Sequence, residues 1–163
     1  MESLLSLAAS QPVRTLFPKE VLIRQGEAGG ELFVLEIGQL TVERDGITIA
    51  TIEKPGSLVG EMSVVLGTLN TATVRAEQMS TVRVIHEARQ HLEQNPELTF
   101  RVAWLMASRL DATSALLVQL TKQHSGKSEQ GLLSKILAAI HLPADTSGYT
   151  VDRKDLFGGA SED

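Results

Sequence analysis

The sequence contains no cysteine, so it can form neither disulfides nor thiolate metal sites, and a reducing compartment is the natural setting. Long apolar runs are missing too. The longest, Val102–Ala107, is far short of the roughly 20 residues a membrane-spanning helix needs. The N-terminal stretch MESLLSLAASQPVR lacks the basic region of a signal peptide. Positive charge is in deficit: 15 Lys and Arg against 20 Asp and Glu give a net charge of −5, which argues against nucleic-acid binding by the whole surface. Nor is there a nucleophile elbow, a Gly-rich dinucleotide fingerprint or a Walker loop. Of the four histidines (His86, His91, His124, His141) only the first two are close, and no carboxylate pattern completes a metal site with them. Together these absences predict a soluble, cytoplasmic protein that is no enzyme and carries no metal or cofactor.

What is present suits one domain of 163 residues with a short appendage: 42% apolar residues to fill a core, and 13 glycines and 5 prolines to turn the chain. In the N-terminal segment, residues 1–12, Glu2–Ser10 predicts a short helix, with Leu4, Leu5 and Leu7 on one face and Pro12 ending it. From residue 13 to 87 the chain changes to short β-type runs punctuated by Gly and Pro. Val21–Ile23 stops at Gly26, Leu32–Ile37 at Gly38, and Leu40–Val42 leads into Asp45-Gly46, a strong hairpin signal because Gly tolerates positive φ. Ile47–Ile52, Thr71–Ala76 and Thr81–Ile85 continue the series, giving about eight strands at a spacing typical of a sandwich, roll or barrel. Gly60–Leu66 interrupts them as one or two helical turns.

Residues 88–124 read as helices. Ala88–Gln94 is short; Asn95 then caps a longer helix that starts at Pro96 and reaches about Lys122. Ala103, Met106, Leu110, Thr113, Leu117 and Leu120 recur every three or four residues, the pattern of a dimer seam or of a helix packed on the roll. Trp104 reads as an anchor of this helix against the roll. Residues 125–163 comprise a linker, a second amphipathic helix over Gln130–Leu142, and a polar, Gly-rich tail with a disordered end.

The chemistry concentrates in Pro55–Ala76. Gly60 allows a ligand to approach the backbone at the start of a short helix, and Glu61 offers a carboxylate to ligand hydroxyls. The hydroxyls of Ser63, Thr71 and Thr73 can donate to a phosphate. A small, anionic, hydroxyl-bearing ligand fits this set.

The segment resembles the phosphate-binding cassette of cyclic-nucleotide-binding domains, in regulators of the catabolite-activator type among others. Val59-Gly60-Glu61 resembles the first half of the family pattern and Thr71-Ala72-Thr73-Val74 the second; Arg24-Gln25-Gly26-Glu27 and Leu35-Glu36-Ile37-Gly38 resemble the family's glycine-punctuated hairpins. The resemblance implies an eight-stranded, jelly-roll-like β-roll followed by a long α-helix and a short C-terminal helix, mainly β in class. It also implies a ligand site of Gly60, Glu61, Met62, Ser63, Asn70, Thr71 and Ala72. Glu61 would take the ribose 2′-hydroxyl, the amides of Met62 and Ser63 the cyclic phosphate, and Thr71 the phosphate or a guanine base. One departure stands out: the family's phosphate-binding arginine falls at Asn70. Removing one partner of a buried charge pair costs roughly 2–5 kcal/mol, a factor of about thirty to a few thousand in affinity. Arg75 is an odd number of positions from Asn70, on the opposite face of an extended strand, and is a poor substitute.

The expected function is therefore a non-enzymatic regulatory domain whose affinity for cAMP or cGMP is weak or lost, with a working cyclic-nucleotide sensor as the alternative. A homodimer is expected, and the remaining partners are a small anionic ligand or another protein. The C-terminal residues resemble the start of a winged helix that stops before a recognition helix, so a truncated transcription regulator is a third reading and specific DNA binding by this chain is not expected.

Overall fold

The computed structural model describes residues 3–123. The expected linker, helix and tail after residue 124 lie outside the described residues. Two compact units divide the chain, Met1–Leu105 and Met106–Asp163.

The first unit is built on eight antiparallel strands: β1 (Val13–Leu16), β2 (Val21–Ile23), β3 (Leu32–Ile37), β4 (Leu40–Arg44), β5 (Ile47–Ile52), β6 (Leu58–Val59), β7 (Thr73–Ala76) and β8 (Ser80–Ile85). They form two four-stranded sheets in the orders β1-β8-β3-β6 and β2-β7-β4-β5. Chain-order neighbours such as β2 and β3 lie in different sheets, and this alternation is a jelly roll. The expected fold class is thus present.

Alternation explains which residues point inward. In β8, Val82 and Val84 are buried while Thr81 and Arg83 are half-buried. Leu16, Phe33, Leu35, Leu40, Val59, Val74, Ala76, Val82 and Val84 make the core between the sheets. β3 lies between β8 and β6, and Leu32–Leu35 are buried on both faces, so its sequence reads as an unbroken apolar run. α1 (Leu4–Leu7) packs against it.

Turns follow the sequence signals. Asp45 and Gly46 both have positive φ (52° and 77°), as a two-residue hairpin between β4 and β5 requires. The Gln25 side chain clamps this turn, donating to Asp45 Oδ1 at 2.6 Å and accepting from Asp45 N at 2.9 Å.

The flanking helices are α2 (Glu61–Leu66), α3 (Ala88–Gln94) and α4 (Pro96–Gln123). Asn95 Oδ1 accepts from the Leu98 amide at 3.1 Å, the predicted cap. Three expectations need correction. α1 covers four residues rather than the nine from Glu2 to Ser10: Ser3 caps it, and the chain turns at Ala8–Ser10. β7 begins at Thr73, not Thr71, because Thr71 and Ala72 form a bend. Trp104 does not anchor α4; it is 58% exposed, whereas Leu98 and Val102, one turn apart, are buried. Trp104 follows Val102 by two positions and so points to another side of the helix.

Candidate functional site

The cassette is positioned by strand ends. β6 ends at Val59, the chain reverses at Gly60, α2 runs to Leu66, and a loop returns to β7. Gly60 adopts φ +93°, and a Cβ there would lie 2.6 Å from the Glu31 carbonyl oxygen. Both the conformation and the space demand glycine.

In α2 the residues alternate between interior and surface. Glu61 (5% exposed), Ser63 and Val64 are buried, while Met62, Val65 and Leu66 are exposed. The Ser63 hydroxyl donates to the Gly60 carbonyl at 3.1 Å, so its single proton is already placed.

Asn70 lies between α2 and β7 and is tied to the loop joining β2 to β3. Its amide donates to the Glu27 carbonyl at 2.9 Å, and its carbonyl accepts from the Gly26 amide at 2.9 Å. Its side-chain Nδ2 points to the Arg24 carbonyl at 3.3 Å and the Ala28 carbonyl at 3.5 Å. The Oδ1 atom lies beside Gly29. A Cβ on Gly29 would lie 2.6 Å from Asn70 Oδ1 and 2.5 Å from Ser63 Oγ. Asn70 and Ser63 therefore meet across the bare Cα of Gly29. Thr73, next along the chain, accepts from the Gln25 amide at 3.0 Å.

Of the seven residues singled out in the sequence, Gly60, Glu61, Met62 and Ser63 begin α2, and Asn70, Thr71 and Ala72 form the approach to β7. The fold brings Ser63 and Asn70 to one point. Met62 differs from its neighbours in being exposed. Sequence reasoning missed Gly29 and the carbonyls of Arg24 and Ala28. The adjacent glycines Gly29-Gly30 were the available signal. Arg75 pairs with Glu43 across β4 and β7. Among the described residues no group of three His, Asp or Glu side chains is placed to hold a metal ion.

A family model described as the cyclic nucleotide-binding domain matches residues 13–93. The roll belongs to the cyclic nucleotide-binding domain family. Across 55 residues it is 36% identical to a cGMP-dependent protein kinase, egl-4, of Caenorhabditis briggsae; the match covers 34% of this chain and only 7% of the kinase. The catabolite activator protein of Thermus thermophilus is similar in structure, with TM-score 0.62 and 24% identity, over 72% of this chain and 59% of that one. So is the regulatory subunit of a cAMP-independent protein kinase A from Trypanosoma brucei, with TM-score 0.54 and 25% identity, over 64% of this chain and 39% of that one. The matched range includes α2, β7 and the loop between them that holds Asn70.

The six residues of the expected seam lie along α4. Ala103, Leu110, Thr113 and Leu120 are exposed, and Met106 and Leu117 are half-buried. Thr113 donates its hydroxyl to the Arg109 carbonyl at 2.8 Å, one turn back. No described helix is long and apolar enough to cross a membrane.

Proposed function

We propose that this chain is a non-enzymatic regulatory domain of the cyclic-nucleotide-binding type in which affinity for cAMP and cGMP is weak or lost. Asn70 carries this reading. The position that supplies the family's phosphate cation holds a neutral amide, and that amide's only nitrogen is directed at two backbone carbonyls of the β2–β3 loop. Replacing a charged partner of a buried phosphate in this way lowers affinity by a factor of about thirty or more. The Trypanosoma relative, whose protein kinase A is described as cAMP-independent, is a precedent for such a roll in a regulatory subunit. In this reading the domain acts in the cytoplasm as a homodimer, with Ala103, Met106, Leu110, Thr113, Leu117 and Leu120 of α4 at the seam. The exposure of Leu110 and Leu120, 49% and 45%, favours a partner on that helix.

Calorimetric titration of the wild type and of Asn70→Arg with cAMP and cGMP tests the proposal. The variant should bind at least thirty-fold more tightly than the wild type. Low-micromolar or tighter binding by the wild type would refute it and restore the sensor reading.

A further inference from the structure

The loop joining β2 to β3, residues 24–31, is fastened to the cassette at several points. Ala28 bridges Leu69. Asn70 exchanges backbone hydrogen bonds with Gly26 and Glu27, both at 2.9 Å. Its Nδ2 reaches the Arg24 and Ala28 carbonyls, and since a carbonyl only accepts, the nitrogen is the atom that belongs between them. The Gln25 amide donates to Thr73 Oγ1 at 3.0 Å. Gln25 and Asn70 are both half-buried, whereas Arg24 and residues 26–30 are exposed. Gln25 also carries the fastening further. Its backbone is bound to Thr73, while its side chain holds Asp45, donating to Oδ1 at 2.6 Å and accepting from the Asp45 amide at 2.9 Å. Asp45 opens the β4–β5 turn.

The hydrogen bonds thus form one chain, from Asn70 through the β2–β3 loop to Gln25 and on to Asp45. Its partners are 20 to 48 positions apart, so each bond joins separate segments rather than closing a local turn. We propose that Asn70 and Gln25 act as a tie that couples the cassette loop to the β4–β5 turn, so that loosening one loosens the other. β5 is the outer strand of its sheet, and the tie therefore links the cassette to an edge of the roll. A change in the cassette can act on that edge only by favouring one arrangement of the tie over another. A second route runs beside it: the ladder in which Thr73 pairs with Glu43, two residues before Asp45. The two routes differ in the Gln25 side chain, which the ladder does not use. The inference goes beyond the proposed function and does not need it, because every link joins protein groups and the test adds no nucleotide.

The test is amide hydrogen exchange of the full chain, read residue by residue by NMR. The Asp45 amide is the reporter, because it donates to the Gln25 side chain. In Gln25→Ala it should exchange roughly three- to tenfold faster, the worth of one neutral hydrogen bond. Asn70→Ala should speed the Gln25 and Asp45 amides by about threefold or more, and leave the amides of β8 as they were. In the Gln25→Ala background, Asn70→Ala should add nothing at Asp45. Thr73→Val keeps the shape of the side chain and removes only the acceptor of the Gln25 amide. It should reproduce the effect at Asp45, and it asks the same question if Asn70→Ala does not fold. An Asp45 amide that ignores Asn70→Ala or Thr73→Val overturns the tie. So does an Asn70→Ala effect of equal size in both backgrounds, which would assign the coupling to the β4–β7 ladder. A rise of the same factor throughout β8 would show a loss of global stability alone, and overturns it as well.

Discussion

Gly60→Ala should be among the most damaging single-methyl changes in the roll, and its size can be worked out in advance. Two separate penalties act. An L-residue at φ +93° pays for left-handed backbone, about 1–2 kcal/mol. The new Cβ also lands 2.6 Å from the Glu31 carbonyl oxygen, a backbone atom that cannot swing aside as a side-chain tip would. Relieving overpacking of this kind takes roughly 1–3 kcal/mol. Together they give about 2–5 kcal/mol. Gly56→Ala is the matched control: its φ is +86°, and nothing lies within 4 Å of the added Cβ. It should show the conformational penalty alone, about 1–2 kcal/mol. Urea unfolding followed by far-ultraviolet circular dichroism measures both, provided the denaturant slopes are equal. If Gly60→Ala is destabilised no more than Gly56→Ala, to within about 0.5 kcal/mol, the space beside Gly60 is not closed by the Glu31 carbonyl.

Three further outcomes are expected. Arg83 donates to the Ala9 and Gln11 carbonyls (3.1 and 3.2 Å) and to Glu36 (2.9 Å), so Arg83→Ala should lower stability by about 2–3 kcal/mol and raise amide exchange around α1, whereas unchanged exchange would discount these contacts. The Glu20 carboxylate accepts the Phe17 amide and an Arg14 guanidinium hydrogen bond, which together hold its pKa below the ordinary 4.5. A lowered folded-state pKa stabilises above the unfolded value and ceases to as pH falls through the folded one. The stability gap between wild type and Glu20→Gln should therefore be full at neutral pH and shrink below pH 4.5, and a gap that ignores pH would contradict this. In sedimentation velocity at tens of micromolar the wild type should be a dimer and Leu110→Asp/Leu117→Asp a monomer; a monomeric wild type removes the α4 seam.

Features governed by near neighbours could be read from the sequence. Asp45-Gly46 needs only its own two φ values, and Asn95 only the amide three residues on, so the hairpin and the start of α4 were visible. Gly60 and Glu61 were singled out by their resemblance to a family pattern. What stayed hidden depends on distant partners. The two carbonyls that take the Asn70 side-chain nitrogen are 46 and 42 positions away, so no local pattern says where that nitrogen goes. Gly29 is glycine because Ser63 and Asn70 occupy the place of its Cβ. Trp104 was misread because hydrophobicity alone does not say which side of a helix meets the roll, and burial went to Leu98 and Val102.

The pairing of β1 with β8 has a consequence for how the roll is made. Val13 faces Arg83, and Arg83 reaches back 74 positions to the Ala9 carbonyl, so the first strand has no partner until almost the whole roll exists. β3 has β6 on one side and waits for β8 on the other. Closure must pay the chain entropy of bringing these ends together before most of the sheet contacts can repay it, and folds of this kind close in milliseconds to seconds rather than microseconds. On a ribosome the N-terminal strand would have to remain unpaired until β8 has emerged. β8 is thus the closing element of the roll, and destabilising changes in it should slow folding, whereas changes in the β4–β5 hairpin, whose partners are sequence neighbours, should act mainly on unfolding.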